Sequence, residues 1–106
     1  MEEALPQQMR HLLVEGRVQG VGFRWFTRER ARRRGLRGWV QNRPDGSVEV
    51  QVSGHAEVLA GFVAELSQGP NGAHVTAVRD LYEPGAVVDS SALPYPFHIQ
   101  RQPLAT

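Results

Sequence analysis

Nine residues, Gly16-Arg-Val-Gln-Gly-Val-Gly-Phe-Arg24, carry the strongest chemical signal in this chain. They leave a short apolar run (Leu12, Leu13, Val14), pass three glycines in seven positions and enter a segment with helical periodicity. Glycine serves where φ must turn positive or where a ligand must lie against bare backbone. A loop of this kind opening a helix gathers backbone N–H groups, and the unpaired N–H groups of a helix start attract anions. Arg24 then adds a permanent charge with five donors in a planar fork. Residues Gln19, Gly20, Val21, Gly22, Phe23 and Arg24 thus describe a cradle for a phosphate or carboxylate. The plain alternative is a tight strand-to-helix turn whose glycines serve geometry alone, but such a turn requires neither Gln19 nor Arg24.

Other chemistries fail on residues. The loop lacks the Gly-Lys-Ser/Thr of a Walker motif, and Trp25 stands where a dinucleotide fingerprint needs its third glycine. With no cysteine in 106 residues, disulfides, thiolate catalysis and cysteine–zinc sites are excluded. With no lysine, so is Schiff-base catalysis. His11, His55, His74 and His98 follow no metal-ligand spacing and read as surface or strand residues. No metal or cofactor is expected. Residues 1–53 hold ten arginines against six acids, and residues 54–106 hold two against five. The half with the glycine loop is therefore the electropositive half, which suits an anionic ligand. The arginines of the first helix read as a solvated face. Trp25 and Trp39 read as packing residues, and Asn42, just before Pro44, as a strand-end turn former.

The elements that must position these residues follow from periodicity. The length suits one domain over 1–106, with 1–10 a loose lead-in. A strand is expected at 11–15. A helix over 23–34 should turn Phe23, Phe26, Thr27 and Ala31 inward and close at Gly35, and Arg34 falls where that stripe would continue. A strand over 36–42 leads to the turn Arg43-Pro-Asp-Gly46, and strict alternation at 47–53 sets Val48, Val50 and Val52 on one face. A second helix over 55–66 carries Val58, Leu59, Phe62, Val63 and Leu66 on one stripe. A loop at 68–73, a strand at 75–83, an irregular stretch at 84–96 and a terminal strand at 97–101 complete the chain. The order β-α-β-β-α-β plus a short C-terminal strand is the α+β, ferredoxin-like split β-α-β arrangement, with both helices on one face of a mostly antiparallel sheet. In that topology the first two strands run parallel with one strand between them. Their C-terminal ends share an edge, which makes Asn42 the polar companion of Arg24.

The loop also resembles, almost letter for letter, the signature loop of the acylphosphatase family, small enzymes that hydrolyse carboxyl-phosphate anhydrides. Gly38-Trp-Val-Gln-Asn-Arg-Pro-Asp-Gly-Ser-Val48 resembles the family's second motif, and the likeness runs from about His11 to Arg101. The family often places an arginine after the isoleucine of its last strand, whereas here Ile99 is followed by Gln100 and then Arg101. The resemblance implies that Arg24 and Asn42 are catalytic, Arg24 gripping the phosphoryl group and Asn42 positioning the attacking water. It implies a metal-free enzyme acting on a small acyl phosphate, with inorganic phosphate or sulfate as a competing anion. No apolar run approaches membrane-spanning length and the N-terminus lacks a secretory h-region, so a cytoplasmic monomer without a membrane partner is expected; the strands lack the aromatic pattern of an RNA-binding sheet, so no nucleic-acid partner is expected either. A non-catalytic anion sensor of the same fold and an RNA-associated domain using the arginine-rich helix are the alternatives.

Overall fold

The computed structural model describes residues 7–82 and 93–101. Seven elements follow one another: β1 (Gln7–Arg17), α1 (Phe23–Arg33), β2 (Arg37–Asn42), β3 (Val48–His55), α2 (Ala56–Gln68), β4 (His74–Asp80) and β5 (His98–Ile99). The strands lie in the order β4-β1-β3-β2-β5. All neighbours are antiparallel except β2 and β5, which run parallel. This is the expected ferredoxin-like arrangement. β3 separates β1 from β2, so those two strands point the same way and release the chain at one edge.

One face of the sheet makes the core. Leu12 and Val14 of β1, Val40 of β2 and the alternating Val48, Val50 and Val52 of β3 are fully buried there. Across from them α1 lays down Phe23, Phe26, Thr27 and Ala31, the stripe expected from its 3.6-residue period. Leu59, Phe62 and Leu66 of α2 complete the same cluster. Thr27 is tolerated in this apolar layer because its hydroxyl donates to the Phe23 carbonyl one turn back, at 2.8 Å. Helix α1 ends at Arg33 and is closed through Gly35: the Gly35 N–H donates to Arg32 O and the Leu36 N–H to Ala31 O, satisfying carbonyls the helix cannot reach.

Several boundaries differ from those read in the sequence. β1 starts at Gln7 rather than at His11, because residues 7–11 pair with 51–55 of β3 through the backbone without an apolar alternation to betray them. The expected lead-in is therefore strand from Gln7 onward, and residues 1–6 lie outside the described part. α2 runs on to Gln68, β4 stops at Asp80, and β5 is reduced to two residues. Most of the expected irregular stretch lies outside the described residues. Arg34 does not continue the inward stripe of α1 and is exposed. Its guanidinium crosses to α2, where Nε donates to Glu65 at 2.8 Å.

The arginines of α1 form less of a free solvated face than their spacing suggests. Arg28 pairs with Glu29, and Arg30 pairs with Glu65 while lying 4.9 Å over the Phe26 ring. Arg32 donates to the Phe97 carbonyl. Arg30 and Arg32 tie α1 to α2 and to the segment before β5, because a long cationic stem on a helix edge reaches a neighbouring element as readily as water.

Candidate active site

The loop between β1 and α1 begins with a fault in the sheet. The β1–β4 register shifts between Glu15 and Gly16, and Gly16 has φ +124°. A Cβ at this position would come within 2.1 Å of the His74 carbonyl oxygen, so only glycine lets the strand bulge here against β4. The loop then meets α1 at Gly22, whose left-handed backbone (φ 79°, ψ 20°) forms the N-cap without a side-chain cap. A Cβ on Gly22 would meet nothing within 4 Å, so what excludes other residues is the backbone angle rather than space. No acidic residue stands in the first turn of α1, whereas α2 carries Glu57 there. The positive end of α1 is thus left without protein charge to neutralise it.

This helix start faces a small cavity of about 170 Å³, lined by Val18, Gly20, Gly22, Phe23, Arg24, Trp25, Asn42 and Ile99. Asn42 is the last residue of β2 and Arg24 the second of α1, so the shared edge of the two parallel strands brings them to one hollow. Arg24 is exposed, and among the described residues no carboxylate pairs with it. By contrast Arg10, Arg28, Arg30, Arg34, Arg43 and Arg79 all have acidic partners.

Gly20, Gly22, Phe23, Arg24 and Asn42 line one hollow, from which the side chains of Gln19 and Val21 turn away. The Gln19 side chain turns away and donates to two carbonyls of the β2–β3 turn, Arg43 O and Ser47 O, both at 2.8 Å. Val21 packs against the core cluster. The turn that receives Gln19 is itself braced. Gly46 N–H donates to Arg43 O, and Asp45 Oδ1 accepts from the Ser47 N–H and hydroxyl. Those bonds, led by the Ser47 hydroxyl, hold the Asp45 carboxyl below its usual range.

Three lining residues escape sequence reasoning. Val18 is buried beneath the loop. Ile99 arrives by the parallel pairing of β5 with β2, where it sits opposite Val40. Trp25, expected to pack, is 59% exposed at the rim. Its place directly after Arg24 in the first helical turn was the available signal, since such residues share the edge where the loop lies. Trp39 does pack, edge-on to His11 with ring centroids 5.8 Å apart.

Comparison with known proteins agrees with this fold. The acylphosphatase family model matches residues 10–84. An acylphosphatase of Thiobacillus denitrificans is 56% identical over 73 residues, which cover 69% of this chain and 81% of the relative. One of Nitrobacter hamburgensis is 50% identical over 72 residues, covering 68% of this chain and 73% of the relative. The crystal structure of acylphosphatase from Bacillus subtilis superposes with a TM-score of 0.78 at 35% identity, covering 89% of this chain and 98% of that one.

Proposed function

The chain belongs to the acylphosphatase family, and from that premise we propose that it hydrolyses acyl phosphates to a carboxylate and orthophosphate, using Arg24 and Asn42. One observation carries the reading. The N-terminus of α1, free of capping and acidic side chains, shares a single hollow with Arg24 and the end of β2 at Asn42.

The phosphoryl group of the substrate sits against the loop from Gln19 to Phe23, held by backbone N–H groups, with the Arg24 guanidinium forked onto two of its oxygens. Hydrogen bonds to a charged group contribute roughly 1.5–3 kcal/mol each. The side chain of Gln19 takes no part in this grip, being committed to the β2–β3 turn. Asn42 holds a water in line with the bond to be broken. Attack on phosphorus breaks the bond to the acyl oxygen, which leaves as a carboxylate. That leaving group is a weak base and needs no general acid, so the protein's task is positioning and charge stabilisation. Among the described residues no group of histidines and carboxylates is placed to hold a metal ion, and the residues at the hollow supply what this chemistry requires.

The test is turnover of benzoyl phosphate by the purified protein in buffer with and without a chelator. Release of benzoate and phosphate at the same rate in both, with inorganic phosphate inhibiting competitively, is the expected result. Binding of phosphate without turnover would make the chain an anion-binding module instead.

A further inference from the structure

The hollow has two kinds of wall. Gly20, Gly22, Arg24 and Asn42 present backbone and polar groups, whereas Val18, Phe23, Trp25 and Ile99 present hydrocarbon. Val18 and Phe23 are almost wholly buried, so the apolar surface a ligand can reach belongs to Ile99 and above all to Trp25. Three large aromatic side chains are well exposed in the described structure: Trp25, Tyr82 and Tyr95. Tyr82 lies tilted against His11 and Tyr95 receives Arg37 over its ring, each away from this hollow. Trp25 is the exposed aromatic that stands at the candidate site.

We propose that Trp25, opposed by Ile99, forms the subsite for the acyl group and makes the chain favour flat, apolar acyl groups, aromatic ones foremost, over the acetyl group. This rests on the hydrolase reading above. A phosphoryl group drawn to the N-terminus of α1 fixes the direction in which the rest of the substrate leaves the loop. The acyl carbon chain must then pass the rim, where the indole offers a large face at little cost in conformational freedom. An aromatic acyl group laid on or against that face gains the offset or edge-to-face contact that ring pairs favour, and it removes indole surface from water. An acetyl group is too short to cover the ring. The gain is present in ground and transition states alike, so it belongs in KM rather than kcat.

The experiment compares benzoyl phosphate with acetyl phosphate for the unmodified protein, Trp25→Ala and Trp25→Phe, with phosphate inhibition measured alongside. The unmodified protein should show the lower KM for benzoyl phosphate. In Trp25→Ala the benzoyl-to-acetyl ratio of kcat/KM should fall on the order of tenfold, carried by KM. Trp25→Phe, which keeps a ring, should restore much of the ratio, and phosphate inhibition should move far less than the benzoyl KM. Trp25 is exposed, so neither change threatens folding. An unchanged ratio in Trp25→Ala, with turnover intact, overturns the subsite and leaves the hydrolase standing. A parallel loss for both substrates and for phosphate also overturns it, making Trp25 a support for the loop. Failure of the unmodified protein to turn over either substrate removes the hydrolase reading itself, and the subsite with it.

Discussion

Arg24 and Asn42 share one hollow, yet the proposed chemistry asks different things of them, and that difference can be measured. In that proposal Arg24 touches the phosphoryl group both before and during reaction. Arg24→Ala should therefore weaken phosphate binding and reduce kcat together. Arg24→Lys should not rescue it, since a point charge cannot reproduce a planar fork. Asn42 is asked to hold only the attacking water, so Asn42→Ala should lower kcat on the order of 10²–10³-fold and leave phosphate affinity nearly intact. Calorimetric titration with phosphate beside a hydrolysis assay separates the two. Equal loss of phosphate binding in both variants would show Asn42 to be a substrate ligand. The place of Arg24 was legible in the sequence because its neighbours Gly20 and Gly22 announce the loop that opens α1. Asn42 became legible only through topology and family likeness, for beside Pro44 its residue type suggests no more than a turn. Trp25 was misread because an aromatic beside a helical stripe is usually core, and only the orientation of the helix on the sheet decides which side of the stripe it takes.

At the scale of elements, the site is two loops that must keep step, and Gln19 links them. Its carboxamide donates from the β1–α1 loop to Arg43 O and Ser47 O, the carbonyls that bracket the β2–β3 turn immediately after Asn42. This arrangement needs a donor. Gln19→Ala should cost about 1–3 kcal/mol for two lost hydrogen bonds, and it should lower kcat/KM by letting the loop drift from Asn42. Gln19→Glu should be worse than alanine at neutral pH, because a carboxylate has no N–H to give and faces two carbonyl oxygens. Urea unfolding and kcat/KM for the three proteins decide this, and full activity in Gln19→Glu would remove the link. The elements themselves were largely readable. Period-2 alternation marked β3 and period-3.6 stripes marked both helices, since each element buries one face. The first residues of β1 and the brevity of β5 were not readable. Strand there is held by backbone pairing with β3 and β2, and backbone hydrogen bonds leave no imprint on side-chain pattern.

For the molecule as a whole, the helix-free face of the sheet holds a charge that should make stability depend on pH. Leu13 of β1 lies directly opposite Glu49 of β3, and Gln41 of β2 flanks Glu49 from the other side. The Glu49 side chain is only 13% exposed. Its Oε2 meets His11 Nε2 at 2.5 Å, its Oε1 accepts from Gln41 Nε2 at 2.9 Å, and Arg43 stands 3.7 Å away. Burial alone would push this carboxyl up, but the Gln41 and His11 hydrogen bonds, together with the charges of His11 and Arg43, outweigh it and hold the group below its ordinary 4.5. A carboxyl depressed in the folded state binds its proton more readily once unfolded. Above pH 4.5 its contribution to stability is present in full. As pH falls through that value and on through the lower folded one, the unfolded chain takes up the proton first and the contribution disappears. Urea unfolding between pH 7 and pH 3 should therefore show Glu49→Gln less stable than the unmodified protein at neutral pH, with the gap closing as the medium becomes acid. Asp45 is depressed too and adds its own acid loss, but it is present in both proteins and cancels from the difference. A gap of constant size across that range would mean that Glu49 supports the sheet through shape and hydrogen bonding alone. The site lies at the edge where β1 and β2 end, whereas Glu49 lies on the sheet face, so kcat at neutral pH should fall much less in Glu49→Gln than in Asn42→Ala.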